Sequence, residues 1–210
     1  MQSHNSLDMG FWDEYNSEKA EASIVDNKNE VKFSSSYTHL FLKDHKLSKY
    51  FNDDCKRIIQ FGAASGEFLK EKKQAGWSTI GYDISSVAVK ELKSGGIEAK
   101  QIDLNSRDDS GALSYADQLK KDISIPANIL LIRVLQYLEL PALNLLLFDL
   151  IDNTAPGSVF FIAGNIKASS EITAKTPYYK SSFFGPRIDM EILENCHVYH
   201  DDELLVIRKR

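Results

Sequence analysis

Three features carry groups able to hold a small polar ligand: the run Gly62-Ala63-Ala64-Ser65-Gly66 and the carboxylates of Asp83 and Asp103. A run of small residues lets a backbone turn approach a ligand closely. Where it opens a helix it also presents unpaired N–H groups with a partial positive charge. Asp83 follows the turn by about twenty residues, the interval at which a strand end offers a carboxylate to a ribose diol. Two charge-assisted bonds from one carboxylate are strong and directional. Each feature also has a plainer use: Gly62 and Gly66 as tight-turn glycines, Asp83 as a helix cap, and Asp103, within Ile102-Asp103-Leu104-Asn105-Ser106, as part of a turn.

Those groups need elements to hold them. Residues 57–83 divide into a short apolar run (Ile58, Ile59, Phe61), the small-residue turn, a charged amphipathic run to Gln74 and a second apolar run ending on Asp83. This is the pattern of a parallel βαβ unit. Ser85 or Ser86 suits the cap of a following helix that Gly95 and Gly96 end. The spacing then predicts a third strand over 97–104, a weak helix over 111–121, a central strand over 127–135, a helix over 141–152 and a fifth strand over 158–165. A short helix is expected over 189–194, inside a tail that otherwise reads as two strands turning about Asp201 and Asp202. Ahead of the unit, residues 11–22 read as a helix with Phe11, Trp12 and Tyr15 grouped on one face, and 37–51 as a second helical run. The expected fold is α/β, a doubly wound, mostly parallel sheet with an antiparallel C-terminal edge hairpin. Residues 1–54 are expected to form an N-terminal helical segment or lid, and 55–210 the ligand-binding domain. Residues 166–188 show no period and are long for a loop in a compact domain, and such loops are often functional.

Composition narrows the function classes. Of the 210 residues, 43% are hydrophobic and 26% charged, ordinary for a globular protein, and a net charge of −5 gives no general attraction to nucleic acid or an anionic membrane. Cys55 and Cys196 are too few for a disulfide framework, and no basic-then-apolar leader is visible. The apolar runs, interrupted by Arg133, Gln136, Pro141 and Asp149, are too short to span a bilayer. A cytoplasmic protein without nucleic-acid or membrane partners is the expectation, and the sequence specifies no oligomeric state. Cys196, His197 and His200 invite a metal reading, but strand residues three apart point to opposite faces, so no metal is expected there.

The turn discriminates between ligands. A dinucleotide fold wants Gly-x-Gly-x-x-Gly, and counted from Gly62 its later positions are Ala64 and Glu67. A glutamate there would set negative charge against a pyrophosphate, which ranks a nicotinamide-dependent oxidoreductase low. No Gly-Lys-Ser/Thr follows, so a Walker loop is excluded. Gly62, Ala64 and Gly66 suit instead a ligand without phosphates whose amino-acid part runs past the turn.

With these residues in order, 57–165 resembles the class I S-adenosylmethionine-dependent methyltransferases, particularly small-molecule and glycan-type bacterial members. The resemblance rests on GAASG after the first strand, GYDIS at the end of the second, Asp103-Leu104 at the end of the third, RVLQYL from the fourth, and Ala155-Pro156-Gly157-Ser158 before the fifth. It implies a Rossmann-like methyltransferase domain over 55–210 with S-adenosyl-L-methionine as cofactor. At the turn, Gln60, Gly62, Ala63, Ala64 and Gly66 would bind it. Asp83 with Ile84 would meet the ribose, Asp103 with Leu104 the adenine, and Arg133 would add a contact after the fourth strand. Tyr137 stands where such proteins carry a His, and is the candidate catalytic residue beside the acceptor. The implied function is methyl transfer to a small-molecule or saccharide acceptor, with Trp12, Tyr15, Tyr178 and Tyr179 as further candidates to touch it.

Methyl transfer from a sulfonium is an in-line displacement that asks chiefly for alignment in a dry pocket, so the sequence need not announce a base. Two positions depart from the pattern. Gln60 stands where an acidic residue commonly precedes the turn, and Ala127 and Asn128 stand where an Asp commonly begins the fourth strand. Gln60 and Tyr137 keep a second reading open, a non-catalytic S-adenosylmethionine-binding or interaction protein on the same fold.

Overall fold

The computed structural model describes residues 9–25, 38, 42, 46–165, 189–197 and 202–210. Among them, β1 (Arg57–Phe61), β2 (Ser78–Asp83), β3 (Glu98–Gln101), β4 (Asn128–Ile132), β5 (Val159–Asn165), β6 (Met190–His197) and β7 (Asp202–Lys209) form one sheet in the order β3-β2-β1-β4-β5-β7-β6. Strands β1 to β5 pair in parallel, and β7 lies antiparallel between β5 and β6.

The two-residue period of the strands sorts side chains into two cores. Ile58, Leu130, Phe161 and Val206 face one side, where α2 (Glu67–Gln74) and α3 (Ser86–Ser94) cover them with Phe68, Leu69, Val89 and Leu92. Ile59, Phe61, Ile129, Leu131 and Phe160 face the other, under α4 (Ala116–Ile123) and α5 (Leu140–Asn153), which supply Leu119, Ile123, Leu143, Leu146 and Leu150. A fully buried side chain of this size stabilises the fold by about 1.5–3 kcal/mol. Covering on both faces explains why β4, Asn-Ile-Leu-Leu-Ile, is buried at every position. Helix α1 (Met9–Val25) lies outside these layers and meets the start of α3.

The doubly wound α/β expectation holds, and several element boundaries need correction. Residues 190–197 form β6 rather than a helix over 189–194: the segment pairs with β7, Ile192 opposite Ile207, with a register shift between Ile192 and Glu194. That long-range pairing overrides the local helix preference of Met-Glu-Ile-Leu-Glu. Strand β3 stops at Gln101, so Asp103 lies beyond it, and β4 stops at Ile132 because Arg133 takes a left-handed φ of 53. Leu135, expected to end the strand, instead opens a 3-10 turn, Leu135–Tyr137. The helix expected over 111–121 is α4, preceded by a turn on Asp108 Oδ1, which accepts the N–H of Ser110 at 2.9 Å. Of the run 37–51, Thr38, Leu42 and 46–51 are described, the last holding the 3-10 turn Leu47–Tyr50. Residues 166–188, with Tyr178 and Tyr179, and also His200 and Asp201, lie outside the described residues. Among the described residues no helix is long and apolar enough to cross a membrane.

Candidate functional site

The strand order reverses between β1 and β4. In open α/β sheets ligands bind outside the carboxyl ends of the strands at such a reversal. The turn after β1 and the segment after β4 meet there, since a Cβ on Gly62 would lie 3.2 Å from Val134 Cγ2. Gly62, Ala64 and Gly66 all take left-handed backbone, with φ of 63, 47 and 66. That conformation costs an alanine about 1–2 kcal/mol, so something must hold Ala64 in it.

Asp83 does so from the end of β2. The Ala64 N–H donates to Asp83 Oδ2 at 2.8 Å, and the Ser85 N–H donates to Oδ1 at 2.9 Å. The two oxygens together keep acceptor capacity beyond these N–H groups. Burial pushes this carboxyl above its ordinary range, the N–H groups of Ser85, Ala64 and Ile84 draw it down, and the nearby Asp13 pushes it up. Asp83 therefore ties the small-residue turn to the start of α3 while retaining lone pairs for a ligand.

Gln60, in β1 just before the turn, is 3% exposed. Its Nε2 donates to Thr38 Oγ1 at 3.1 Å, while Oε1 has no hydrogen-bond partner among the described residues. Leaving a buried acceptor unmatched costs about 1–3 kcal/mol, which a donor group on a ligand would recover. Ala63 is buried and its N–H donates to the Tyr82 carbonyl at 3.1 Å. Gly66 has a packing reason of its own: a Cβ there would come within 2.0 Å of Leu92 Cδ2, where α2 begins against α3.

The remaining sequence candidates fall into two loops that meet. Asp103 is exposed, and its Oδ1 accepts the Asn105 N–H at 2.8 Å. Asn105, which the sequence reading missed, bridges to the segment after β4: its Nδ2 donates to the Tyr137 carbonyl at 3.3 Å, and the Glu139 N–H donates to its Oδ1 at 2.7 Å. Leu104 is buried, with its carbonyl accepting from the Tyr115 hydroxyl at 3.0 Å. The Ile84 carbonyl accepts from Gln101 Nε2 at 3.2 Å, and the Arg133 N–H donates to Ala163 O at 2.7 Å. Tyr137 is 42% exposed, and its ring meets Trp12 edge-on, with centroids 5.2 Å apart. Trp12 in turn packs edge-on against Phe11 and Tyr15. Helix α1 thus reaches the site.

Asp13 is the second residue the sequence reading missed. Its Oδ1 accepts the Ser85 hydroxyl at 2.7 Å and the Val87 N–H at 3.3 Å, and its Oδ2 accepts the Ser86 hydroxyl at 2.8 Å. These bonds, Ser85 first, hold the carboxyl below its ordinary range against partial desolvation. No local spacing links Asp13 to residues 85–87, and its place beside Trp12 in the aromatic group was the nearest signal. Asn128, by contrast, has a structural task at the far end of β4. Its Oδ1 accepts the Asn52 N–H at 2.8 Å while its Nδ2 donates to the carbonyls of Asn52 and Arg57 at 3.1 and 3.2 Å. An Asp there would accept but could not donate.

Solved structures share this architecture. A SAM-dependent methyltransferase from Anabaena variabilis superposes with a TM-score of 0.56 at 16% identity, over 95% of this chain and 93% of that one. The N-methyltransferase NodS from Bradyrhizobium japonicum, solved with S-adenosyl-L-homocysteine, gives 0.52 at 12% identity over 92% and 98%. A putative rRNA-methylase from Clostridium thermocellum gives 0.57 at 10% identity over 81% and 97%. No protein-family profile and no curated protein sequence matches the chain.

Proposed function

We propose that this chain, which has the class I S-adenosylmethionine-dependent methyltransferase fold, binds S-adenosyl-L-methionine at the β1/β4 reversal and transfers its methyl group to a small-molecule or saccharide acceptor. The observation that carries the reading is Gln60 Oε1, a buried acceptor at the foot of the turn with no partner among the described residues. The α-ammonium of the cofactor is a donor of the right kind for it. Around it, the remaining acceptor capacity of Asp83 suits a ribose hydroxyl, and the exposed Asp103 carboxylate suits an exocyclic amine.

The cofactor supplies an electrophilic methyl on a sulfonium when bound. The chain's own contribution is to align partners and exclude water. Trp12 and Tyr137 present ring surface toward an acceptor, and the Tyr137 hydroxyl offers it one hydrogen bond. The net charge of −5 favours a small acceptor over RNA, although one structural neighbour is a putative rRNA-methylase. A neutral amide at position 60 gives the ammonium a hydrogen bond without a countercharge, which favours modest affinity and leaves a non-catalytic binder as the second reading.

Calorimetric titration with S-adenosylmethionine, S-adenosylhomocysteine and NAD tests the proposal. Both sulfur ligands should bind, NAD should not, and Asp83→Ala should weaken binding at least about tenfold, since it removes a charge-assisted pair of bonds. No binding of either sulfur ligand rejects the cofactor assignment. Binding without transfer of labelled methyl to phenol, amine and saccharide acceptors selects the non-catalytic reading.

A further inference from the structure

Among the described residues, Met9, Trp12 and Asp13 of helix α1 meet the carboxyl ends of the parallel strands. Asp13 takes three donors at the start of α3, which follows β2. Gln101 Nε2, at the end of β3, donates to Met9 Sδ at 3.0 Å, and Trp12 meets Tyr137 after β4. No residue from 9 to 17 is fully buried. Elements held by few buried contacts occupy the low-stability end of a protein's range of local opening.

The first of these attachments is coupled to the candidate site. Ser85 is fully buried, at 0% exposure, between two carboxylates. Its N–H donates to Asp83 Oδ1, its hydroxyl donates to Asp13 Oδ1, and the same Oγ accepts the Ala88 N–H at 3.2 Å as the cap of α3. A carboxylate beside the first turn of a helix is also favoured by the helix dipole. Whatever orients Ser85 therefore orients Asp83.

We propose that Asp13 is a positioning residue: by capping α3 it docks α1 across the ends of β2, β3 and the segment after β4, and through Ser85 it sets the Asp83 carboxylate for its ligand. This rests on the S-adenosylmethionine reading. Docking of α1 and binding of the nucleoside then favour one another, and the coupling acts equally in both directions.

The test combines amide hydrogen exchange of residues 9–17 with S-adenosylhomocysteine titration. In the unaltered protein the ligand should slow exchange across 9–17. Asp13→Ala should abolish that protection and weaken the ligand about tenfold, chiefly through faster dissociation, as expected for loss of a charged cap. Asp13→Asn keeps one acceptor oxygen for Ser85 and should fall between. Ser86→Ala spares the α3 cap and removes only the Oδ2 bond, so it should weaken the ligand by about two- to threefold even if Asp13→Ala folds poorly. Normal affinity and normal ligand-dependent protection in Asp13→Ala and Ser86→Ala overturn the proposal alone. Absence of binding to the unaltered protein overturns it together with the cofactor assignment.

Discussion

Substituting alanine for Gly66 separates side-chain packing from backbone strain at the turn. Two costs add in Gly66→Ala. The residue sits at φ 66, where an alanine costs about 1–2 kcal/mol relative to its right-handed basin. The new Cβ would also lie 2.0 Å from Leu92 Cδ2. Leu92 has little room to retreat, being fully buried in the core with Leu69 and Val89. Overpacking of this kind costs about 1–3 kcal/mol, for a total of about 2–5 kcal/mol. At about 2–4 °C per kcal/mol for a domain of this size, the melting temperature should fall by about 4–20 °C. Gly76→Ala is the internal control, because Gly76 has φ 84 but nothing within 4 Å of its would-be Cβ. It should lose only the backbone part, about 1–2 kcal/mol. Thermal melts by circular dichroism decide the matter. If the two variants melt within about one degree of each other, Leu92 does not constrain position 66 and the packing account fails.

Three further results are expected. The Asp83 carboxyl lies above its ordinary 3.8 when folded, so the native state gains stability as pH falls through the raised value toward 3.8, a gain that Asp83→Asn should lack. Asp13 lies below 3.8, so its contribution is complete above that value and disappears as pH falls through the folded one; urea melts of Asp13→Asn should differ from the unaltered protein at neutral pH and converge in strong acid, and a gap that widens in acid refutes the assignment. Asn128→Asp should cost about 3 kcal/mol at neutral pH, because an oxygen then faces the carbonyls of Asn52 and Arg57. Protonation should recover part of that loss, and a urea midpoint unchanged at neutral pH would remove Asn128 from the network.

What the sequence disclosed follows from the range of the interactions involved. The βαβ unit was legible because its signals are local: apolar runs, small turn residues and a strand-end Asp83 all lie within 57–83. Strand β6 was not, because Met-Glu-Ile-Leu-Glu prefers a helix until β7 pairs with it. The end of β4 was misplaced because Val134 and Leu135 continue the apolar run, and only the left-handed φ of Arg133 breaks it. Asp13 and Asn105 were invisible for a related reason. Their partners, Ser85 and Tyr137 respectively, come into reach only after the sheet has assembled. Gln60 was legible as a departure at the turn, but that its Oε1 lacks a partner among the described residues emerges only once Thr38 has taken the other end of the amide.

The position of β7 has a consequence for biosynthesis. This strand follows both β5 and β6 in the chain yet lies between them in the sheet. A nascent chain that has released β5 exposes an open edge carrying Val159, Phe160, Phe161 and Ile162, all deeply buried at the end of folding. Among the described residues, the partner of that edge is 202–209. At about 5–20 residues per second, the roughly 44 residues from the end of β5 to the end of β7 take about 2–9 s to make. An unpaired apolar strand of this kind is a template for mispairing with other chains. Chaperone dependence and aggregation during expression should therefore track the speed of translation through the last strand, independently of how stable the finished sheet is.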